Sequence, residues 1–332
     1  MFTTLKTLCK TPSVSGREEN IRKALTDLIT PLCDDVYTDA LGNLIALKKG
    51  SSNEAKKIIL CAHMDEIGFM VTFIEDDGYI RIAPIGGINT AAVVYTEVIS
   101  ENGVRGIIAP NSDIKPADYA LDKFYIDIGA TTKKEAERKV SVGDFFVCEP
   151  SLNRLVGKKV CGRPLDDRVG CAVLLKIAEH FKANTPENDV YYVFSVQEEV
   201  GCRGAKTAAF GISADYGLVF DVTGTGDTPS AKPMACKIGG GTAIKIKDSS
   251  VICHKDVVDN LISLAKENKI NHQCEILTYG GTDTSAIQMT GSGARVGALS
   301  IPTRYIHTST EMLDLSDAEA CVALAIKFVE NI

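Results

Sequence analysis

After residue 160 the sequence alternates between apolar runs of strand length and amphipathic segments of helix length. "VGCAVLLKIAEHFKAN" has the spacing of a long helix, and "VYYVFSV" and "YGLVFDV" are continuous apolar strands. "VVDNLISLAKENK" repeats the helical period, and "ARVGALSI" closes the series as another strand. Strands without polar alternation are buried on both faces. Such a series predicts an α/β fold, a sheet flanked by helices on both sides.

The preceding hundred residues have another texture. "FMVTFI", "YIRIA", "VVYTEVI", "GVRGIIA" and "DFFVCE" are short β-like runs between Gly, Asn and Asp turns. Only "KPADYALDK" and "TTKKEAERKV" suggest helix there. Ahead of this unit stand a helix over Ile21, Leu25, Leu28 and Ile29, a Gly-Asn turn with a short strand, and a strand over Ile58 to Cys61. Ser15 and Glu18 have the spacing of a capping box for that helix. The expected organisation is a discontinuous domain of residues 1–67 and 161–332 with a β-rich unit, 68–160, inserted between its halves.

Composition narrows the function classes. At 332 residues the chain suits two domains. A net charge of −7 argues against nucleic acid, whose phosphates call for a basic footprint. No stretch approaches the roughly 20 apolar residues of a membrane span. The first residues lack the basic and apolar regions of a signal peptide, so a cytoplasmic protein is expected. Its 11 cysteines contain no C-x-x-C pair and are read as reduced thiols that pack as small hydrophobes. Cys61, Cys161 and Cys202 lie within five residues of candidate site residues.

Those candidates stand at strand ends. His63 follows "IILCA", Asp166 and Asp167 follow "VCGRPL", and Glu198 and Glu199 follow "YYVFSVQ". Asp221 follows "YGLVF", and His307 follows "ALSIPTRYI". Open α/β sheets bind ligands at the carboxyl ends of their strands. Two imidazoles with three or more carboxylates suit zinc or cobalt, and manganese less well. Two ions a few ångström apart require one bridging carboxylate and two further ligands each. Their charge would also hold adjacent glutamates ionised against mutual repulsion.

Six segments, "AHMDEIGFMV", "LDDRVG", "SVQEEVGCRGA", "FDVT", "YGGTDTSAI" and "IPTRYIHTSTEM", occur in the order of the M42 metallo-aminopeptidases, the glutamyl and tetrahedral aminopeptidase group, which the chain resembles over nearly its whole length. The resemblance implies a zinc-peptidase-like mixed sheet with an inserted PDZ-like dimerisation domain, and dimers assembled into a dodecamer. It implies two divalent ions per subunit, Zn²⁺ or Co²⁺. His63 and Asp221 would hold one, and Glu199 and His307 the other. One Asp of "LDDR" would bridge them. Asp166 is favoured because related sites use the first acid, often ahead of a cis peptide, and Asp167 is the alternative. Asp65 would orient His63, Glu198 would be the general base, and Gly280, Gly281, Thr282 and Asp283 would line the substrate pocket. The family's Pro-x-His stretch in the insert is replaced by "APNSDIKPAD".

The implied reaction removes N-terminal residues from short peptides. A metal-dependent deacylase or carboxypeptidase could use the same ligands, and a non-enzymatic scaffold would have lost them. A glycosidase needs carboxylates about 5–9 Å apart on either side of a sugar, which adjacent glutamates fit poorly. A Cys–His hydrolase built on Cys61 and His63 lacks orienting geometry, since the two are neighbours on one strand face.

Overall fold

A computed structural model describes residues 1–332. The chain builds two main hydrophobic cores, one of 60 buried residues and one of 15, and a small cluster of 4 in which Val14 meets Ile85, Phe145 and Val147. The larger belongs to an 11-stranded mixed sheet with helices on both faces. Its centre is four parallel strands in the order Asp189–Ser195, Lys57–His63, Tyr216–Thr223, Arg295–Arg304. Register pairs Cys61 with Val193 and Val219, and Asp221 with Ser300. Antiparallel strands extend both edges.

The central strands are apolar on both sides because both are covered. Ile58 through Ala62 are all buried. Helices Arg168–Ala183 and Leu315–Asn331 pack together on one face, and Arg203–Ile212 packs with Asp283–Gln288 on the other. The first of these starts where Asp167 Oδ1 accepts the Gly170 N–H at 3.0 Å. A β-carbon at position 170 would lie 2.2 Å from the other carboxylate oxygen, so the cap requires glycine there. Fully burying a residue such as Leu174 contributes about 1.5–3 kcal/mol. Arg168, also fully buried, donates to the carbonyls of Leu8 and Thr11 and pairs with Glu66 at 3.3 Å. The two carbonyl contacts fasten the N-terminal segment to the start of that helix.

The smaller core fills a closed, six-stranded antiparallel barrel formed by Gly68–Ile74, Ile80–Ile85, Phe124–Asp127, Arg105–Pro110, Thr96–Ser100 and Phe145–Cys148. Phe69 and Val71 point inward by strand alternation. "KPADYALDK" is not a helix. Pro116–Asp118 and Leu121–Lys123 form single 3₁₀ turns separated by extended residues, because Leu121 and Phe124 must both enter the barrel core. "TTKKEAERKV" supplies only the short helix Lys133–Ala136. The hairpin Ser151–Arg154 and Lys159–Arg163 straddles the expected boundary at residue 160, and both of its strands pair into the large sheet. No helix is long and apolar enough to cross a membrane.

Candidate metal centre

The parallel strands end at one edge and deliver their polar groups there. His63 closes Lys57–His63, Asp221 lies near the end of Tyr216–Thr223, and His307 follows Arg295–Arg304 in a turn. Asp166 and Asp167 join Lys159–Arg163 to the helix they precede, and the peptide between them is cis.

Asp166 occupies the middle. Its Oδ1 lies 3.1 Å from His63 Nε2 and its Oδ2 lies 3.3 Å from His307 Nε2. On the His63 side, Asp221 Oδ1 is 3.8 Å and Glu198 Oε2 is 3.9 Å from the imidazole. On the other side, Glu199 Oε2 is 3.1 Å from His307 Nε2. Donor atoms of His63, Asp166 and Glu199 lie within 4.8 Å of one another, as do those of His63, Asp167 and Asp221.

The adjacent glutamates share the site because the strand stops first. Gln197 adopts φ 55°, and the chain turns so that Gly201 and Cys202 donate to the Glu198 carbonyl. Asp65 holds this turn. Its Oδ1 accepts the Glu198 N–H and its Oδ2 the Glu199 N–H. Ser15 donates its hydroxyl to the same carboxylate at 2.6 Å. The expected capping box is therefore absent. The helix Glu19–Ile29 starts later, and Glu18 accepts the N–H groups of Gly16 and Gln197.

Three positioning groups were not singled out from the sequence. Glu311 accepts the N–H groups of Leu165, Asp166 and His307, so it braces both halves of the cluster. It lies four residues beyond His307, a spacing visible in "IHTSTEM". Gly86 and Gly87 of the barrel reach the site as well. A β-carbon on Gly86 would meet Glu199 at 3.2 Å, and one on Gly87 would meet His307 Nδ1 at 3.1 Å.

The electrostatics are those of a buried cluster in which carboxylates outnumber imidazoles. Burial first, and then neighbouring acids, push Asp167, Glu198, Glu199 and Asp221 above the ordinary carboxylate range. Burial would lower the imidazoles, but the carboxylates outweigh it. His63 is held well above its usual value by Asp166, Asp221 and Asp65, and His307 at about 11 by Asp166 and Glu199. Burial would raise Asp166, but its bonds to the two histidines hold it low. Asp167 Oδ2 is buried with no hydrogen-bond partner. Imidazoles interleaved with an excess of carboxylates fit borderline divalent cations.

Among the expected pocket residues, Asp283 reaches this cluster from below. It is buried and accepts from Ser195. Gly280, Gly281 and Thr282 meet the 248–250 turn: Ser249 donates to the Gly280 carbonyl, Ser250 crowds Gly281, and Thr282 donates to Asp248.

Comparison with known proteins places the chain in a family. The family model for M42 glutamyl aminopeptidases matches residues 42–324. The chain is 44% identical over 330 residues to a provisionally named aminopeptidase of Acetivibrio thermocellus, covering 99% of this chain and 98% of that protein. An aminopeptidase structure from Desulfurococcus kamchatkensis superposes with a TM-score of 0.95 at 36% identity, covering 100% of this chain and 94% of the other. The TET1 peptidase of Pyrococcus horikoshii, which can assemble into a tetrahedron or a large octahedral shell, superposes with a TM-score of 0.89 at 33% identity over 99% of each chain. The chain belongs to the M42 aminopeptidase family.

Proposed function

We propose that this protein is a metal-dependent aminopeptidase that removes N-terminal residues from short peptides. The observation that carries the reading is Asp166, whose two oxygens face two different histidines at 3.1 and 3.3 Å. A carboxylate so placed suits a bridge between two ions. His63 and Asp221 would complete one ligand set, and Glu199 and His307 the other. One oxygen of Asp167 is taken up as a helix cap, whereas both oxygens of Asp166 face histidines, which favours Asp166 as the bridge. Zinc or cobalt, when bound, would acidify a water and polarise the scissile carbonyl.

The chain's own groups would do the rest. Glu198, largely buried beside His63, takes a proton from the attacking water and returns one to the leaving amine. Asp65 and Glu311 fix the backbone that aims these side chains. Gly280, Gly281 and Thr282 border the substrate's approach, and Asp283 supports the floor beneath Glu198. The barrel, which spans residues 68–148, is the dimerisation element of a dodecamer. The shells formed by the similar TET1 peptidase support that assembly.

The test is turnover of aminoacyl-p-nitroanilides by the chelated protein and after Zn²⁺ or Co²⁺ is restored. Activity is expected to vanish on chelation and return with about two ions per chain. N-acetylated substrates are expected to be inert. Full activity in metal-free protein overturns the metal reading. Preferential cleavage of N-blocked substrates overturns the aminopeptidase reading in favour of a deacylase or carboxypeptidase.

A further inference from the structure

The proposed mechanism gives no chemical step to two groups beside Glu198. Cys202 adopts left-handed backbone, φ 52°, just ahead of the helix Arg203–Ile212, and its Sγ lies 3.3 Å from Glu198 Oε1. Asp283 opens the helix Asp283–Gln288 and is 1% exposed. Its Oδ2 is engaged by Ser195 and by Cys61 at 3.7 Å, but its Oδ1 is buried with no hydrogen-bond partner. Donor atoms of Glu198, Cys202 and Asp283 lie within 4.8 Å of one another.

A buried carboxylate oxygen without a partner is costly, and a cation within its reach would recover that cost. The dimensions suit zinc. With Zn–S of about 2.3 Å and Zn–O of about 2.1 Å, tetrahedral geometry separates sulfur from oxygen by about 3.6 Å. The observed 3.3 Å is a few tenths of an ångström away. The donor set also differs in kind from the histidine–carboxylate cluster. A thiolate selects zinc over magnesium or manganese. Binding would release the Cys202 proton to solvent and leave the thiolate on the ion. Glu198 is 11% exposed and Cys202 only half-buried, so the site opens toward solvent.

We infer that Glu198, Cys202 and Asp283 form a third site, for a thiophilic divalent cation such as zinc, and that its occupancy inhibits the enzyme by withdrawing Glu198 from proton transfer. This rests on the proposed role of Glu198 as base. The site would set an upper limit to useful zinc: the ion that completes the catalytic pair would, in excess, shut the reaction off.

The experiment titrates enzyme already holding two Co²⁺ per chain with further Co²⁺ and, separately, with Zn²⁺. Ion content, the thiolate-to-cobalt charge-transfer absorption and turnover are read in the same samples. A third ion is expected, with the absorption rising as turnover falls. Cys202→Ser retains a hydroxyl donor to Glu198 but offers no thiolate. It should lose the absorption and shift the zinc inhibition midpoint upward by more than about 100-fold, since losing even an outer partner of a metal site costs about 10–100-fold. Asp283→Asn provides a second variant and should shift the midpoint while keeping the absorption. Each variant is referred to its own rate at low zinc. An enzyme active with two ions that never develops the absorption, or whose Cys202→Ser variant is equally zinc-sensitive, overturns the third site alone. A protein that develops the absorption but has no peptidase activity overturns the proposed function and leaves the cation site standing.

Discussion

Asp65 accepts the backbone N–H of Glu198 at 3.1 Å through one oxygen while the other accepts that of Glu199 at 3.2 Å. One buried carboxylate thereby sets the turn that sends two neighbouring side chains into the same cavity. A continuous strand would send them to opposite faces. The first of those oxygens also lies 3.6 Å from His63 Nδ1, close enough to bias the imidazole's charge, while the hydrogen-bond contact of that nitrogen is with the Asp65 carbonyl at 3.2 Å.

Asp65→Ala is expected to act at both places. Metal affinity should fall about 10–100-fold, the usual cost of losing a partner behind a ligand, and kcat should fall with it. Ser15→Ala removes only the hydroxyl donor to Asp65 and should be much milder. Metal content and turnover, measured together, check this. An Asp65→Ala protein with full metal and full kcat removes Asp65 from the positioning role.

Glu198→Gln and Glu199→Gln should separate cleanly. Glu198→Gln keeps size and polarity but cannot take a proton. It should retain both ions and most peptide binding while kcat drops about 10²–10⁴-fold. Glu199→Gln should weaken one ion and leave the other. Metal loss confined to Glu198→Gln would exchange the two roles, and full activity with full metal in both would end the mechanism.

The site was legible in the sequence chiefly because its residues end apolar runs. His63, Asp221 and the glutamate pair could be placed from strand periodicity, and the central strands and the 168–183 helix followed from the same signal. Groups acting through backbone were hidden. Glu311 grips three N–H groups from two distant segments, and nothing in local sequence marks a carboxylate whose partners are amides. Ser15 and Glu18 had the spacing of a cap, but Asp65 and the Gln197 amide compete for them and win through tertiary contact. The hairpin 151–163 reads like the preceding β segments. Only pairing with Glu311–Asp314 and with its own return strand places it in the large sheet.

Gly87→Ala tests how closely the barrel approaches the cluster. The added β-carbon would lie 3.1 Å from His307 Nδ1, tighter than ordinary contact. His307 is expected to shift by a few tenths of an ångström, weakening its ion and lowering kcat about 10-fold or more, since small misplacements of reacting groups are costly. Thermal stability should change little, because the glycine lies outside both main cores. An unaltered kcat would show that the barrel loop does not constrain His307.

Replacing residues 68–148 with a short linker tests the barrel's role in assembly. The junction is feasible because Phe69 pairs with Phe146, which brings the two ends of the unit together. The two main cores are separate, so the large sheet should still fold. Light scattering is expected to find monomers. Activity is no guide here, since the deletion also removes Gly86 and Gly87. A dodecamer that survives would move the assembly contacts to the large domain.

Arg304 and Asp227 supply a pH-dependent tether just before the His307 turn. The guanidinium donates from Nε to Asp227 Oδ1 at 2.9 Å and from Nη2 to Oδ2 at 2.8 Å. That fork holds the Asp227 carboxyl at about 2, with further help from Thr225 and the Ile238 amide. Because the folded value lies below the unfolded one, the pair stabilises the protein above pH about 4. The contribution is lost as pH falls toward 2, roughly half of it by pH 3. The shift corresponds to about 2.4 kcal/mol, but the pair is about a fifth exposed and partly screened, so about 1 kcal/mol is expected at neutral pH. A double-mutant cycle of Arg304→Gln and Asp227→Asn, by urea unfolding at pH 7 and pH 3, measures the coupling directly. Arg304→Lys should lose most of it, since a single ammonium cannot reproduce the fork. Coupling that is the same at both pH values would mean that Asp227 owes its low value to its other partners.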